Sequence, residues 1–391
     1  MTAVARSGVP ASALHISLAD DMSGMEQFAA AWQTLEKMGG CPSPFQSWRW
    51  VQAWRKHFRQ AEPLLLLAHD EQGAPLALLP LQRERHMGFL RITWMSIRGL
   101  QYGGMLLRPG LTKEQRETIY SHLWVALMAQ KADYLDLPLL PADDPVVPFL
   151  AARCRQGLPN ASFRIDFSSH EDWRSYELAL KPSARRSRKK RLNKLKRAGE
   201  LTFTVHPAGR SMKLVLRQAL EWKRQWLDMQ GLEGALPYEP AFGKLLEALF
   251  AKPDEMQAWR VAVLALDGKP IAVDVGKVCN NAFHAWFSAY DAAYSEHSPG
   301  KIALWLMMQW CMENGIRAYD MLANPAPYKE DWANERRELL HFLHPMTAAG
   351  TAACLWMQYG EPRAREVYRA LPPGLKAAVR KPLAYLRDNG K

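Results

Sequence analysis

Long apolar runs are missing from this 391-residue sequence, in which no stretch approaches about 18 uncharged apolar residues. A membrane-spanning helix needs about 20 such residues, and a secretory signal needs an apolar core of about 7–15. Residues 1–21 contain no continuous apolar core of that kind. We therefore expect no transmembrane helix and no secretory signal, and we expect a cytoplasmic location.

Cysteine is scarce, and its pattern does not indicate a metal site. The five cysteines are odd in number, scattered along the chain, and without CxxC or Cys/His spacing. Disulfide frameworks and structural zinc sites depend on paired or clustered patterns. The sequence therefore predicts reduced thiols and no metal ligands.

Acidic residues are absent from one short segment that carries most of the net charge. The formal net charge is +12, and residues 181–197 contain ten basic residues and no acidic one. Three interpretations of this basic helix are open, beside a simple solvated surface: it binds a nucleic acid such as a charged tRNA, an anionic membrane, or a phosphorylated or acidic substrate. No module that reads base sequence accompanies it, so we expect no sequence-specific DNA binding.

A second basic region lies at residues 361–391, with eight basic residues against three acidic ones. Leucine and valine side chains stand between the charges. This composition would suit peripheral contact with the inner membrane.

Two segments of the chain repeat one pattern. Residues 64–81 and residues 260–276 each give an apolar strand, a Gly-containing turn and a second apolar strand, which is typical of a β-hairpin. A helix and then a strand ending in Tyr and Asp follow each hairpin. These are predicted at 113–131 and 132–137 in the first half, and at 301–314 and 316–321 in the second.

The repeat predicts an α/β protein made of tandem domains, each a mixed sheet flanked by helices. We place the N-terminal domain at residues 1–170 and the C-terminal domain at residues 171–346. The C-terminal domain includes the basic helix at 181–199, and residues 347–391 form a basic helical tail.

The most informative helix start is Ser298-Pro299-Gly300, after three predicted strands. Ser298 can cap the helix, Pro299 suits its first turn, and Gly300 leaves no side chain in front of the backbone amides. Such an end offers N–H groups and a positive dipole to an anion such as a pyrophosphate, although an ordinary N-cap has the same composition. With the strands beside it, this start predicts a ligand crevice at the carboxyl ends of the strands.

Several short segments follow one another in a recognisable order. They are Leu266–Ala272, Phe287–Asp291, Ser298–Gly300, Tyr319-Asp320 and Tyr328-Lys329, preceded by Pro44–Trp48 and Arg197–Gly199. Their order and spacing resemble the CelD/BcsL-type acetyltransferase family, a branch of the GNAT superfamily related to the FemABX peptidyltransferases. One pattern departs from that superfamily: of the pyrophosphate loop Gln/Arg-x-x-Gly-x-Gly/Ala, only Gly300 is clear.

The resemblance implies tandem GNAT-like domains, the first degenerate because it lacks a Ser-Pro-Gly helix start. It implies a GNAT-type N- or O-acyltransferase that uses acetyl-CoA or another acyl-CoA as cosubstrate and holds no bound cofactor. The acceptor would be an amine or hydroxyl of a sugar, or of an envelope or polysaccharide precursor. Two alternatives stay open: a FemABX-like transferase that uses aminoacyl-tRNA, and a non-catalytic scaffold with a GNAT fold.

Three sets of candidate residues follow. For catalysis, Tyr328 could protonate the leaving sulfur, Asp320 could accept a proton or orient the acceptor, and Lys329 could bind a phosphate or carboxylate. The competing interpretation gives these side chains structural roles. The candidates for acyl-CoA binding are Tyr290, Asp291, Ser298, Gly300 and Lys301. The candidates for acceptor binding are Trp50, His284, Arg185 and Arg186.

Overall fold

A computed structural model of the protein describes residues 14–231, 235–251 and 258–371. In it the chain divides into two compact units. Unit 1 contains the described residues of 1–51, 59–160 and 338–391. Unit 2 contains the described residues of 52–58 and 161–337.

The apolar runs of the sequence form the strands. Where a strand is buried continuously, as over residues 63–68 and 261–266, both of its faces are covered. In chain order the strands are β1 (His15–Ala19), β2 (Glu62–His69), β3 (Pro75–His86), β4 (Phe89–Trp94), β5 (Leu106–Leu107), β6 (Tyr134–Pro141), β7 (Arg155–Gln156), β8 (Asn160–Asp166), β9 (Leu201–Pro207), β10 (Trp259–Leu266), β11 (Lys269–Cys279), β12 (Ala282–Tyr290), β13 (Ala318–Ala323) and β14 (Glu335–Pro345).

Several helices begin at proline, which has no amide hydrogen to leave unsatisfied in the first turn. In chain order the helices are α1 (Met22–Gln27), α2 (Ala29–Lys37), α3 (Trp48–His57), α4 (Lys113–Met128), α5 (Val147–Ala151), α6 (Trp173–Ala179), α7 (Pro182–Ala198), α8 (Lys213–Met229), α9 (Pro240–Phe250), α10 (Pro299–Glu313), α11 (Pro327–Trp332), α12 (Ala348–Leu355) and α13 (Glu361–Ala370). Each helix in the described part of the chain is too short or too polar to cross a membrane.

The two units repeat one sheet topology. In unit 1, β1 to β4 pair antiparallel in order, β4 pairs parallel to β6, and β6 pairs antiparallel to β14. In unit 2, β9 to β12 pair antiparallel in order, β12 pairs parallel to β13, and β13 pairs antiparallel to β8. Each unit is a mixed sheet with helices packed on it, which confirms the predicted α/β fold class.

The last strand of each sheet comes from an unexpected part of the chain. β8 follows β6 in sequence but pairs with β13 of unit 2, and β14 follows β13 but pairs with β6 of unit 1. The units therefore divide near residues 160 and 337, whereas the sequence placed the boundaries at 170 and 346. The difference arises because alternation of apolar residues identifies a strand but does not say which strand it pairs with.

The predicted C-terminal tail begins as part of unit 1. Ala353, Cys354 and Met357 pack on Tyr134 and Leu343, so one face of the α12 region belongs to the core of that unit. Residues 372–391 of the predicted tail lie outside the described residues.

A gap opens between β12 and β13 of unit 2. These parallel strands pair only from Ala282–Ala318 to His284–Asp320, and then continue to Tyr290 and Ala323 without pairing to each other. Helix α10 follows β12 in the chain and is buried along most of its length, as its nearly continuous apolar sequence predicts.

The equivalent gap in unit 1, between β4 and β6, is filled. The indole Nε1 of Trp94 donates to the carbonyl oxygen of Pro138 at 2.8 Å, and the amide of Gly103 donates to Leu139 at 2.8 Å. The following helix α4 is capped at its N-terminus, because Thr112 and Gln115 exchange capping hydrogen bonds. Unit 1 thus has the same topology as unit 2, but hydrogen bonds from Trp94 and Gly103 cross the corresponding position.

Gly103→Ala tests the filling of this gap. A Cβ at position 103 would overlap the Trp94 indole and approach the Pro138 oxygen to 2.8 Å. We expect a loss of about 2 kcal/mol in the free energy of unfolding, measured by urea denaturation, because overpacking costs about 1–3 kcal/mol. The control is Gly209→Ala, at an extended position whose nearest neighbour is 3.7 Å away, with an expected change below about 0.5 kcal/mol. Equal stability of the two variants would contradict the tight packing of Trp94.

Candidate active site

A cavity of about 350 Å³ lies in unit 2 where β12 and β13 separate. Strands β11, β12 and β13, the start of α10, helix α8 and helix α11 all contribute to its wall. The lining residues are Trp222, Lys223, Trp226, Ala272, Val273, Asp274, Ala285, Ser288, Ala289, Tyr290, Gly300, Lys301, Ala303, Leu304, Tyr319, Met321, Tyr328 and Trp332. Most of these side chains are apolar, so the few polar groups determine which chemistry the cavity can support.

The start of α10 forms one side of the cavity. Ser298 adopts a left-handed conformation, with φ of 53°, and its side chain makes no capping hydrogen bond, so the expected serine cap is wrong. At the end of the preceding turn, Ala292–His297, the Ser298 amide donates a hydrogen bond to the carbonyl of Ser295. Pro299 occupies the first turn as predicted, and a Cβ on Gly300 would come within 3.3 Å of the Tyr290 ring.

Three of the five residues expected to bind acyl-CoA line the cavity: Tyr290, Gly300 and Lys301. Asp291 does not. Its carboxylate accepts a hydrogen bond from the amide of Ala293 at 3.0 Å and lies 3.6 Å from the Lys269 ammonium. These contacts make Asp291 the cap of the turn before α10.

The basic helix α7 contacts α10 through a few apolar side chains. Leu195 is fully buried against Ile302 and Ala303, with Leu192 beside them. The residues one turn earlier, Arg188 and Arg191, line a second, small cavity that shares Lys301 and Trp332 with the first. The Arg188 guanidinium lies 3.8 Å from the centre of the Trp332 ring.

Arg185 and Arg186, the predicted acceptor-binding arginines, lie elsewhere on α7. The Arg185 guanidinium approaches the carbonyl of Leu178 at 3.5 Å, and Arg186 is exposed to solvent. The sequence contained a signal for the pair that lines the small cavity, because residues four positions before Leu192 and Leu195 share their helical face.

The sequence interpretation missed Asp274, the buried carboxylate of the cavity wall. Asp274 lies on β11 between Val273 and Val275 and accepts hydrogen bonds from Ser288 Oγ at 2.8 Å and from the hydroxyl of Tyr319. Burial raises the pKa of Asp274, and the hydrogen bonds oppose that rise. An acidic residue inside an otherwise apolar strand was the signal that could have identified it.

Asp320, His284 and Lys329 form a separate buried group that does not line the cavity. The Asp320 carboxylate accepts from the amide of Leu322 at 2.8 Å and lies 3.5 Å from His284 Nδ1. Burial lowers the pKa of His284, with the Asp320 charge acting in the opposite direction, so the imidazole is neutral at pH 7.

Lys329 secures the end of β13. Its ammonium donates to the carbonyl oxygens of Leu322 at 3.2 Å and Ala323 at 2.6 Å. Leu322 has a φ of 64°, a conformation that costs free energy for a residue with a side chain. Asp320 and Lys329 therefore hold the bent strand end next to Met321, which lines the cavity.

Tyr328 lies in the first turn of helix α11, and its side chain lines the cavity and is half-exposed. Its partial burial, together with the Asp274 charge, raises the pKa of the Tyr328 phenol, which stays protonated at neutral pH. Trp50, predicted to contact the acceptor, is instead fully buried in unit 1, where its indole donates to Ser96 Oγ at 2.9 Å.

Together these groups can carry out proton transfer in an apolar enclosure. A protonated phenol and a buried carboxylate line one cavity, beside a helix start that has no side-chain cap. In the described part of the chain, no cluster of His, Cys, Asp and Glu has the arrangement of a metal site.

Comparison with known proteins finds a family match over the part of the chain that contributes most of the cavity lining. Residues 182–330 match the family model described as Acetyltransferase (GNAT) domain. The match lies within unit 2 and covers less than half of the chain. A search of curated proteins finds no match. The narrower resemblance to the CelD/BcsL-type family stays a prediction.

Solved structures share the fold over most of the chain. FemX aligns with a TM-score of 0.55 at 10% identity, covering 83% of this chain and 96% of FemX. L-PGS from Bacillus licheniformis aligns with a TM-score of 0.53 at 14% identity, covering 84% of this chain and 95% of its own. The C-terminal domain of a putative lysylphosphatidylglycerol synthetase from Agrobacterium fabrum gives 0.50 at 14% identity, with 85% and 98% covered. At these identities the similarity concerns the fold alone.

Lys329→Met tests the buried ammonium. Burial lowers the pKa of Lys329 to about 8, whereas a lysine in an unfolded chain has a pKa of about 10.4. Between these pH values the unfolded chain binds a proton that the folded chain has released, so stability rises with pH. From pH 7.5 to 9.5 we expect the free energy of unfolding of the wild type to gain about 2 kcal/mol relative to Lys329→Met, by urea denaturation. Parallel pH curves would contradict this assignment.

Proposed function

Because residues 182–330 match a GNAT acetyltransferase domain, we propose that this chain is an acyltransferase that moves an acyl group from acyl-CoA to an amine or hydroxyl. The observation that carries the proposal is the cavity at the separation of β12 and β13. An uncapped helix start and the Tyr328 phenol both face this cavity, so an anionic donor and a proton donor have places at the same site.

The residues around the start of α10 suit the phosphates of acyl-CoA. Gly300 keeps a side chain away from the backbone amides, and the positive end of the α10 dipole favours an anion. Lys301 on the cavity wall, with Arg188 and Arg191 in the adjoining small cavity, adds cationic side chains. Arginine and lysine at such a position bind phosphate oxygens through charge-assisted hydrogen bonds.

The reaction would be a direct transfer. The acceptor attacks the thioester carbon, and Tyr328 donates its phenolic proton to the sulfur as the carbon–sulfur bond breaks. Asp320 and Lys329 act as positioning residues, since they hold the end of β13 and the start of α11 that carries Tyr328. Apolar walls exclude water that would hydrolyse the thioester.

For the acceptor we propose a sugar or an envelope or polysaccharide precursor, following the resemblance of the motifs. The aminoacyl-tRNA-dependent reaction is the second candidate. It is favoured by the exposed basic residues of α7, such as Arg186, Lys189 and Lys190. A long cationic helix surface can contact a phosphate backbone without reading its sequence.

We also propose that the C-terminal helices contact an anionic membrane surface. Leu355, Trp356, Tyr359 and Val367 are exposed large apolar residues on the outer side of the segment whose inner side packs in unit 1. Residues 361–391 carry eight basic and three acidic residues. Aromatic side chains next to basic ones are typical of helices that lie in the membrane interface.

The choice of donor can be decided by calorimetry with acetyl-CoA and with a charged tRNA. We expect saturable acetyl-CoA binding to the wild type and none to Gly300→Trp, whose indole would press on Tyr290. Tyr328→Phe is the matched control, because it should bind acetyl-CoA normally while transfer slows about 100-fold. Binding of the charged tRNA alone would support the second candidate. Binding of neither donor by the folded protein would support a scaffold.

Vesicle sedimentation tests the membrane surface. On vesicles containing phosphatidylserine we expect Trp356→Gln with Tyr359→Gln to bind about tenfold more weakly, since about 1.4 kcal/mol of apolar contact is lost. Val125→Gln, a change at an exposed residue elsewhere in unit 1, should bind like the wild type. Equal binding of all three proteins would exclude Trp356 and Tyr359, which lie between α12 and α13, from the contact.

A further inference from the structure

Asp274 is the one carboxylate among the described residues that line the cavity of unit 2. It lies on a central strand, paired with Ala262 on β10 and Ser288 on β12, and only 3% of the residue is exposed. Burying a carboxylate in apolar surroundings costs several kcal/mol unless hydrogen bonds compensate. A buried acid on the wall of a cavity is therefore a candidate for a chemical function.

The hydrogen bonds of Asp274 hold it in place and leave room for another partner. Ser288 Oγ donates to one carboxylate oxygen, the Tyr319 hydroxyl donates to the other, and the backbone N–H of Val275 also interacts with the group. A carboxylate has about four acceptor positions, so three donors do not saturate it. Both side-chain donors also line the cavity, which fixes the carboxylate toward the site.

We propose that Asp274 is the base that accepts the proton of the acceptor amine or hydroxyl, with Ser288 and Tyr319 as its positioning residues. This inference rests on the proposed acyl transfer and assigns a catalytic residue for it. It replaces Asp320 in the role of proton acceptor, because Asp320 bonds to the Leu322 amide and does not line the cavity.

Tyr328 supplies the proton that the leaving sulfur needs. The lone pair of the acceptor forms the new bond to the acyl carbon, and the acceptor's proton moves to an oxygen of Asp274. The carbon–sulfur bond breaks, and the sulfur takes the proton of the Tyr328 phenol. A proton then passes from Asp274 to Tyr328, so the protein returns to its starting state and the products are the acylated acceptor and the free thiol. Both groups line the same cavity.

The electrostatic surroundings agree with this role. Burial raises the pKa of Asp274, which makes it a stronger base than a carboxylate in water. The titratable groups that face it are Tyr319 on β13, Tyr328 on α11 and the Cys311 thiol on α10. Burial raises the pKa of each of these three, so all are protonated and neutral at pH 7. Lys223 on α8 and Lys301 on α10 also line the cavity, and burial lowers the pKa of Lys223.

The test measures thiol release from acetyl-CoA with a panel of amino sugars and simple primary amines, with acetyl-CoA binding followed by calorimetry. We expect Asp274→Asn to lower kcat about 100- to 1,000-fold while the dissociation constant of acetyl-CoA stays unchanged. Glu313→Gln, at the far end of α10, should keep wild-type turnover.

Ser288→Ala gives a readout that a purely structural role would not move. The Ser288 hydrogen bond lowers the pKa of Asp274, so its removal should shift the acidic limb of the kcat profile to higher pH. This variant also decides the question should Asp274→Asn fail to fold.

Two outcomes would overturn the inference in distinguishable ways. The role of Asp274 alone is overturned if the wild type transfers acyl groups and Asp274→Asn does so at the same rate with an unchanged pH profile. It is also overturned if the acidic limb of the kcat profile does not shift in Ser288→Ala. Failure of the wild type to bind acetyl-CoA and to release thiol with any acceptor overturns the proposed function, and the assignment of Asp274 with it.

Discussion

The early end of pairing between β12 and β13 is the constraint on which the site depends. The hydrogen bonds of a parallel pair are evenly spaced along the strands, so a bend in one strand interrupts the pairing. Here pairing stops after His284 and Asp320, and Leu322 continues in a left-handed conformation held by the Asp320 carboxylate and the Lys329 ammonium. The strands that would otherwise close the sheet leave a cavity, and the start of α10 lies on its wall.

Comparison of the two units shows what this opening requires. In unit 1 the aspartate equivalent to Asp320 is Asp136, which bonds to Arg91 Nη1 at 2.7 Å and to His341 Nε2 at 2.7 Å. Burial alone would raise the pKa of Asp136, but the His341 hydrogen bond and the Arg91 charge lower it. Side chains therefore surround Asp136, and Trp94 occupies the gap between β4 and β6. Asp320, in contrast, bonds to the backbone of a bent strand.

The cavity combines one buried carboxylate with walls that are mostly apolar, and that combination carries a stability cost. Asp274 accepts hydrogen bonds from two hydroxyl groups and the Val275 amide, and these neutral donors compensate its charge only partly. A paired ammonium would stabilise the fold more but would make the carboxylate a weaker base. Surroundings that stabilise the ionised carboxylate of Asp274 therefore lower its basicity, and such a compromise is typical of catalytic groups.

Sequence patterns predicted the two hairpins, the repeated order of strands and helix, and a crevice beside Gly300, where the structure has a cavity. They could not decide which side chains reach the cavity. On β13, Tyr319 and Met321 line it while Asp320 between them points to the opposite face, because alternate residues of a strand face opposite ways. On α11, Tyr328 lines the cavity and Lys329 does not, because successive helix residues are rotated by about 100° around the helix axis.

The exchange of β8 and β14 between the sheets, the closure of the gap by Trp94 and the position of Asp274 were decided by tertiary structure. Each depends on contacts between residues far apart in the chain. A local pattern gives each strand its two faces, but only packing determines its partner and which face meets the opening.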